Sequence, residues 1–584
     1  MGTFGSFTTV RLGIYSAQKG LDVTGNNITN INTEGYTRQR LNQVSLIPSV
    51  NDRYYSSYNT RIGQGAVVAG ITQVRDPGLD ISYRKANSDV GSANAKLDGL
   101  NQIATILDEV GKGSLDQDDG VILSQLNDIR DLISQAITNG VDTYDPLIRE
   151  SADALCTFFN SYADKLTELQ KTYEDKLNQQ VTEVNDILTQ IRDLNESIRN
   201  ADLRGDPALE LRDSRNNLLD KLSGYMKIDV KYTMEEVGPD TMVEKLTVTL
   251  ATGDKQTLVD GVYGGQFSQD LLSRNPAFDP TKDPGPGNEP YLDVDGNPVL
   301  NEDDAAKLNN PNYLLTLGPL RDGNGEKKSN TDFGSDIGDT ELYGSIQSIR
   351  DILTEKGEFS SQDDVDNVDP DALVKRGIPY YQKALDSLAY EFATAMNELN
   401  HVYDSSGNLV AGAGNLFSIG SNTNDAVATD PVTGAKTQIT ASNISVSYGW
   451  ANQTVSIQAA SSPDAPSGDT SRLAEFLDLF SKKLDFVPSH VDGDAIGDAY
   501  HGTFEDMLLK IQSTLAEDQM STDAVLNNYT ITADNIYTDR DGVSGVDLND
   551  EATGLMTYQK AYTAACRLMN VLNEALDSLI NGTV

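Results

Sequence analysis

Both ends of this 584-residue chain carry an apolar repeat that recurs every seven residues. Near the N-terminus the repeat alternates steps of three and four residues, with one polar exception, and its positions are Phe7, Val10, Ile14, Ala17, Leu21, Thr24, Ile28 and Ile31. So narrow a stripe is typical of a coiled-coil seam rather than of a helix lying on a globular core. We therefore predict a helix from Phe7 to Ile31, which ends where asparagine and glycine favour turns.

The C-terminal repeat has the same form and offers the partner that a seam requires. One set of its positions is Leu548, Leu555, Tyr562, Met569 and Leu576, and the second set is Tyr558, Ala565, Leu572 and Leu579. We predict a helix from about Leu548 to Ile580, whose first turn carries acidic residues that the helix dipole stabilises. Two terminal seams indicate that the chain ends pair as a coiled coil, with everything else inserted between them. The alternative is two unrelated surface helices that cap a core.

The middle of the chain is mostly helical on either side of a β-rich region. Apolar residues recur every three or four positions from Leu155 to Ile198, which predicts one long helix. From Lys227 to about Asp339, alternating residues among many glycines, prolines and asparagines favour strands joined by exposed turns. A further strand pair is predicted at 439–448 and 454–459, with Trp450 in the turn as a packing anchor.

Other helices complete this pattern. A helix is predicted from Leu211 to Leu222. Its charged residues Arg212, Asp213 and Arg215 form either a functional ion cluster or a solvated face with helix-spaced ion pairs, and we favour the solvated face. Two separate helices are predicted nearer the C-terminus, at 504–515 and from about Ala524. The fold expected is mainly α, elongated and multi-domain, with a terminal coiled-coil inner domain (residues 1–60 and 525–584), a helical-bundle second domain (61–226 and 340–524) with a small β element near 436–460, and a β-rich outer insertion (227–339).

Composition excludes several classes of partner. The net charge of −43 argues against nucleic acid and against an anionic membrane surface. No apolar run is long enough to span a bilayer, and the first residues lack the basic and apolar segments of a cleavable signal peptide. Cys156 and Cys566 are interpreted as small apolar residues rather than as a disulfide. Taken alone, these features indicate a cytoplasmic protein.

No residue pattern points to a catalytic residue, a cofactor or a metal site. The histidines lack metal-ligand spacing, and they are His401, His490 and His501. The loop Asp293–Glu302 partly matches a calcium-binding EF-hand, but Tyr291 stands where the first ligand is needed. We interpret this loop as an Asp-Gly turn.

Two motifs carry a family resemblance. Asn27-Ile28-x-Asn30-x-Asn32-Thr33-x-Gly35-Tyr36 resembles the N-terminal signature of bacterial flagellar rod, hook and hook-associated proteins. The segment from Ser544 to Glu551, followed by Tyr558-Gln559-Lys560-Ala561-Tyr562, resembles the matching C-terminal signature. The Gly-Tyr-Thr-Arg-Gln ending and the Tyr-Gln-x-Ala-Tyr motif are closer to the hook-associated members than to rod or hook subunits.

The resemblance implies a structural role, in which the terminal helices self-assemble to form the junction between hook and filament. It implies partners in a ring of identical subunits, with hook protein below, a second junction protein and flagellin above, and an export chaperone. It implies neither nucleic acid nor membrane insertion, and it places the protein outside the cell after export without a cleaved signal. The alternatives are another axial subunit, such as hook or distal-rod protein, or a secreted adhesin or enzyme on the same frame.

We expect subunit packing to involve residues of both signatures and both seams. They are Phe7, Val10, Ile14, Leu21, Asn27, Ile28, Asn30, Ile31, Asn32, Gly35 and Tyr36 near the N-terminus, and Leu548, Leu555, Tyr558, Tyr562, Met569, Leu572, Leu576 and Leu579 near the C-terminus.

Overall fold

The computed structural model describes residues 3–46, 65–107, 120–238, 241–269, 282, 287–289, 313–329, 334–429 and 436–582. The helices are α1 (Thr3–Thr29), α2 (Pro77–Leu107), α3 (Val121–Asn139), α4 (Val141–Asp202), α5 (Leu209–Tyr225), α6 (Gly344–Thr354), α7 (Ile378–Asn400), α8 (Tyr448–Ala451), α9 (Ser471–Leu479), α10 (Phe504–Ser544) and α11 (Leu548–Asn581). The strands are β1 (Gln39–Ser45), β2 (Ala66–Gln73), β3 (Ile228–Gly238), β4 (Thr241–Leu250), β5 (Thr257–Asp260), β6 (Tyr263–Gly264), β7 (Phe267–Ser268), β8 (Leu315–Leu317), β9 (Ser335–Ile337), β10 (Phe417–Ile419), β11 (Val427–Thr429), β12 (Lys436–Gln438), β13 (Ile444–Val446), β14 (Leu484–Phe486) and β15 (Tyr500–Gly502).

The helical body is built around α4, which spans 62 residues and is therefore about 90 Å long at 1.5 Å per residue. The predicted helix from Leu155 to Ile198 is confirmed, and its apolar positions are buried at helical spacing. They pack against α3, α5, α6 and α7. Gly140 has a φ of 99°, a value that glycine adopts without strain, and it lets the chain turn from α3 into α4.

The β-rich region forms two small antiparallel sheets beside α4. Their strand orders are β3-β4-β5-β6 and β7-β8-β9. The predicted strands are confirmed in the first sheet, where Ile228 pairs with Leu250 at the base of a long hairpin. A bond from Lys227 N to Leu342 O (2.9 Å) holds the entrance of the region beside the segment that follows its exit. The calcium-like loop Asp293–Glu302 lies outside the described residues.

The strand pair predicted around Trp450 was wrong. Strand β13 pairs with β10 instead, and residues 454–459 form no strand. The reason is Asp145 on α4, which accepts hydrogen bonds from Trp450 Nε1 (3.0 Å) and from Ile457 N (2.9 Å). These bonds hold the segment to α4 and replace a strand ladder. The role of Trp450 as a packing anchor is confirmed, because its side chain is fully buried.

The C-terminal arm begins with one continuous helix, α10, rather than with the two predicted segments. Thr503 and Asp506 form a capping box at its start. The prediction of a break was wrong because Leu515 and Thr522, two turns apart on one face, are both buried. Packing therefore keeps the intervening polar stretch helical. Residue 525, where we place a domain boundary, lies inside this helix, and the division into domains stays a prediction.

Helix α10 runs antiparallel to α2. Gln519 Nε2 donates to Asn101 Oδ1 (2.8 Å), and the rings of Tyr83 and Tyr537 lie 5.9 Å apart. Helix α2 follows the N-terminal segment in sequence, and α10 directly precedes α11. The part of the molecule that connects to α1 and α11 is therefore itself a pair of antiparallel helices.

Candidate assembly site

The terminal helices α1 and α11 pack along each other in opposite directions. Their facing pairs are Gly13 with Ala565, Gly20 with Tyr558, and Thr24 with Gly554. The Tyr558 ring lies directly over Gly20, since a Cβ atom on this glycine would fall 2.4 Å from a ring carbon. The predicted pairing of the chain ends is confirmed, and Gly20 sets how closely the helices approach.

The predicted α1 positions lie mostly within this packing. Val10, Ala17 and Thr24 are buried, and Phe7, Ile14, Leu21 and Ile28 are half-buried. The exception is Ile31, which is 37% exposed because α1 ends at Thr29. The helix stops there because Asn30 Nδ2 turns back to Asn26 O (3.0 Å). The prediction that the helix includes Ile31 was therefore wrong by one short turn.

The predicted α11 positions divide into two groups. Half-buried are Tyr558, Met569, Leu572 and Leu576. Exposed are Leu548, Leu555, Tyr562 and Leu579, at 53%, 36%, 37% and 60%. Helix α1 thus covers only part of the predicted seam, and the participation of the exposed members in subunit packing stays a prediction.

A second apolar stripe lies on a flank of α11, beside the face that packs on α1. Its members are Ala561, Ala564, Leu568, Val571 and Ala575, all of them exposed. Steps of three and four residues place them on one face of the helix, roughly a quarter turn from the first seam at about 100° per residue. Leu568 and Val571 keep 51% and 58% of their surface exposed. We did not predict this stripe from the sequence, although the same spacing rule would have found it.

The N-terminal signature folds into a junction at the base of the coil. Asn27 is buried, and its side chain bonds the backbone of Gln39 twice, donating to the carbonyl (2.9 Å) and accepting from the amide (3.0 Å). Tyr36 donates its hydroxyl to the same Asn27 side chain (2.9 Å), and burial raises the pKa of Tyr36. The signature asparagine therefore fastens α1 to the first strand of the β1–β2 hairpin.

The turn that follows is fastened to α5 of the helical body. Thr37 donates its amide (3.1 Å) and its hydroxyl (2.6 Å) to the Asp213 carboxylate. Burial raises the pKa of Asp213, while these two bonds oppose the shift. Gly35 has a φ of 71°, and a Cβ atom there would lie 1.7 Å from Asn217 Oδ1. Only glycine therefore allows this turn to approach α5.

The interpretation of the α5 charges as a solvated face was wrong. Asp213 and Arg215 are 6% and 2% exposed. Arg215 pairs with Glu244 on β4 (2.5 Å), and Arg212 pairs with Asp202 on α4 (2.9 Å). These charges are buried because α5 is covered by the signature turn on one side and by the β3–β4 hairpin on another.

Two arginines extend the junction to the C-terminal helices. The Arg38 guanidinium pairs with Glu551 in the first turn of α11 (2.8 Å). Arg540 on α10 pairs with Asp220 on α5 (2.6 Å) and lies 4.1 Å from the ring centre of Tyr83 on α2. The bend between α10 and α11 is thereby tied to the signature turn and to the helical body.

The remaining signature residues surround a polar cleft of about 530 Å³ at this bend. Asn32 is exposed on its rim, whereas Asn30 is used within the turn. The junction as a whole fixes the direction in which the terminal coil leaves the body.

Removing the Asp213 carboxylate is expected to loosen this junction. Asp213→Ala leaves a buried amide and hydroxyl of Thr37 without their acceptor, which we expect to lower the free energy of unfolding by about 2 kcal/mol. Urea denaturation of the full chain measures the effect. Asp131→Ala, at an exposed carboxylate on α3, is the control and is expected to change stability by less than about 0.5 kcal/mol. Equal effects of the two substitutions would contradict this role for Asp213.

The histidines and cysteines are dispersed in the described part of the chain. The histidines bond to three separate residues, namely His401 to Asn415 (2.9 Å), His490 to Glu391 (2.7 Å) and His501 to Asp485 (2.7 Å). Cys156 and Cys566 are both free thiols. Among the described residues, no helix combines the length and apolar character needed to cross a bilayer.

Comparison with known protein families identifies three matching segments. Residues 100–282 match the flagellar hook-associated protein FlgK helical domain. Residues 542–582 match the flagellar basal body rod FlgEFG protein C-terminal family, and residues 15–37 match the flagella basal body rod protein family. The two terminal matches coincide with the two signatures and with most of the paired coil.

Curated relatives align over nearly the whole chain. Flagellar hook-associated protein 1 of Bacillus subtilis (strain 168) is 26% identical over 99% of this chain and 98% of its own length. The protein of the same name from Salmonella typhimurium is 24% identical over 97% of this chain and 98% of its own length. A solved structure of the flagellar hook junction protein FlgK from Burkholderia pseudomallei covers 80% of this chain and 100% of its own, at 12% identity and a TM-score of 0.47. The full-length relatives and the three matching segments agree, and the chain belongs to the flagellar hook-associated protein 1 family of structural proteins of the bacterial flagellum.

Proposed function

We propose that this chain is the structural subunit that forms the junction between the flagellar hook and the filament, and that its terminal helices assemble with those of identical subunits. The second apolar stripe of α11 is the observation that carries the proposal. One face of α11 packs on α1 within the chain, while an adjacent face keeps Leu568 and Val571 more than half exposed. A helix that is apolar on two sides needs a second partner to bury the remaining side.

Identical subunits are the partners that best fit this stripe. Alanines alternate with the larger Leu568 and Val571, so a neighbouring helix can approach closely along the stripe. Each burial contributes about 25 cal/mol per Å² of apolar surface, and a ring repeats that gain at every subunit. Within one chain the coil consists of only two helices, α1 and α11. Assembly therefore supplies much of the apolar contact that stabilises it.

The excess of negative charge fits the rest of the proposal. The chain carries a net charge of −43, which opposes unwanted association between the helical bodies of neighbouring subunits. The terminal coil is then the part through which subunits associate. The remaining partners that we propose are hook protein below, a second junction protein and flagellin above, and a chaperone before export. The finished protein would then lie outside the cell, exported without a cleaved signal peptide.

Deleting the gene tests the position of the subunit in the flagellum. We expect electron microscopy of the deletion strain to show complete hooks without filaments, together with flagellin released into the medium. Restoring the wild-type gene is the control and should restore filaments.

Two outcomes of the deletion would contradict the proposal. Cells without hooks would indicate a rod or hook subunit instead. Cells with normal filaments would remove any role in the axis and leave an accessory protein carried on an axial frame.

A further inference from the structure

A buried cluster of carboxylates lies where the β-rich region ends and α6 finishes. It comprises Asp339, just after β9, Glu355 at the end of α6, and Asp369 in the segment that leads to α7. One oxygen from each carboxylate lies within 4.8 Å of the others. Glu355 and Asp369 are 5% and 3% exposed, and the Asp339 side chain is 6% exposed. The three groups are therefore largely withdrawn from bulk water.

Fewer cations than carboxylates face this cluster. Arg350 on α6 pairs with Asp339 (2.6 Å), and Lys375 pairs with Asp369. A fourth carboxyl, Asp351 on α6, acts on the same groups, and burial raises its pKa. Four carboxyls are thus opposed by two cations in the described part of the chain. Repulsion between like charges at a buried site favours the retention of a proton.

Glu355 is the member of the cluster without a counter-charge. Among the described residues, no lysine or arginine forms an ion pair with it, and the adjacent Lys356 pairs with Asp364 instead (3.4 Å). Asp339 and Asp369 each have a cation of their own. Within the cluster of Asp339, Glu355 and Asp369, the charge balance therefore singles out Glu355 as the proton carrier.

The electrostatics of the site agree with this assignment. Burial, followed by the charge of Asp351, raises the pKa of Glu355 to about 8, although Lys375 opposes the shift. Carboxylate oxygens of Glu355 and Asp369 lie within 4.8 Å of each other, so a protonated Glu355 can donate a hydrogen bond to Asp369, and this interaction lowers the pKa of Asp369. An ordinary glutamate would be ionised well below neutral pH.

The cluster holds in place the segment of residues 356–377, which contacts α6, α7 and α10. Residues 356–377 join α6 to α7, and Gly377 N donates to Glu355 O (3.0 Å). On the other side of the segment, Arg376 pairs with Asp518 on α10 (3.2 Å). A cavity of about 370 Å³ beside the cluster leaves space into which the segment can shift.

We propose that Glu355 holds a proton at acidic to neutral pH, and that this proton locks residues 356–377 onto the end of α6. When the proton is lost, a negative charge without a cation of its own lies beside Asp339 and Asp369, and repulsion releases the segment. The lock therefore makes the link between the outer β-rich region and the C-terminal arm sensitive to pH. This switch is independent of the assembly role proposed above.

The direction of the pH dependence follows from the two states of the segment. In the open state Glu355 ionises like an ordinary glutamate, near pH 4.5, whereas in the locked state it keeps its proton until about pH 8. Closing the lock takes up a proton between these values. The lock must therefore weaken as pH rises, by up to about tenfold per pH unit, and level off above about pH 8.

Amide exchange of the full-length protein tests this switch. After correction for intrinsic exchange, we expect protection of residues 356–377 to fall by up to about tenfold per unit between about pH 5.5 and pH 8, and then to level off. Protection of α7 should not change. Glu355→Gln should abolish the fall, because its neutral amide donates the same bond and has no proton to lose. Glu398→Gln, the same change at an exposed position on α7, should behave as the wild type.

Either of two results would overturn the lock. The first is a wild-type protection profile that stays flat between these pH values. The second is a Glu355→Gln profile that falls as steeply as the wild type. If Glu355→Gln does not fold, the wild-type profile alone decides, because a fall that levels off near pH 8 requires a group with that pKa.

Discussion

Replacing Val571 by aspartate is expected to leave a folded, exported subunit that no longer supports a filament. The side chain is 58% exposed on a face of α11 that lies outside the packing on α1, so we expect the added charge to leave the fold of the chain intact. In the proposed ring the same position is buried against a neighbouring subunit. A carboxylate buried there without a partner costs several kcal/mol, and the cost recurs at every subunit.

The measurement for Val571→Asp has two parts. Thermal unfolding of the purified chain should match the wild type, while cells carrying the variant should be non-motile, with hooks that lack filaments. Asn570→Asp places the same charge one residue away, at an exposed position outside the stripe, and should leave motility intact. Normal filaments with Val571→Asp would show that the second stripe is not an interface.

Replacing Gly20 by leucine is expected to abolish filament formation by a different route. A Cβ atom at Gly20 would lie 2.4 Å from the Tyr558 ring, so the larger side chain forces α1 and α11 apart. Overpacking of this kind costs about 1–3 kcal/mol or more, and it also turns the second stripe away from its proper direction. Filament counts and swarming of the variant strain measure the loss.

The same helix provides a matched control for Gly20→Leu. Gly25 also lies in α1, and a Cβ atom added there would have no heavy atom within 4 Å, so Gly25→Leu should retain filaments. The helix itself should gain about 0.5–1 kcal/mol from losing a glycine. Tyr558→Ala in the Gly20→Leu background should restore filaments at least in part, because it removes the clashing ring. Equal behaviour of the two leucine variants would contradict the close-packed seam.

Periodicity made much of this architecture predictable from the sequence. The terminal helices and α4 were found because their apolar residues follow helical spacing over many turns, with a single polar exception at Thr24 in the N-terminal helix. The β3–β4 hairpin was found for the same reason at a spacing of two. The second stripe of α11 was predictable by this rule too, but its small alanines made it less visible than the first seam.

Contacts between distant segments were not predictable in this way. Thr37 bonds Asp213 across 176 positions of sequence, and nothing in the local pattern of α5 distinguishes this carboxylate from a solvated one. The same applies to Arg215, whose partner Glu244 lies in the β-rich region. Around Trp450, alternation suggested a strand pair, yet two bonds to Asp145 on α4 decided the conformation. Tertiary hydrogen bonds overrode the local signal in each case.

The antiparallel packing of α1 on α11 makes the order of synthesis matter. Helix α1 cannot form the coil until α11 has been synthesised, and even at the base of the coil Arg38 and Glu551 are 513 positions apart. A chain that is truncated before α11, by a nonsense codon or by proteolysis, keeps its helical body but cannot form the terminal coil. Only chains that carry both helices can therefore form the coil, so its geometry distinguishes them from truncated chains.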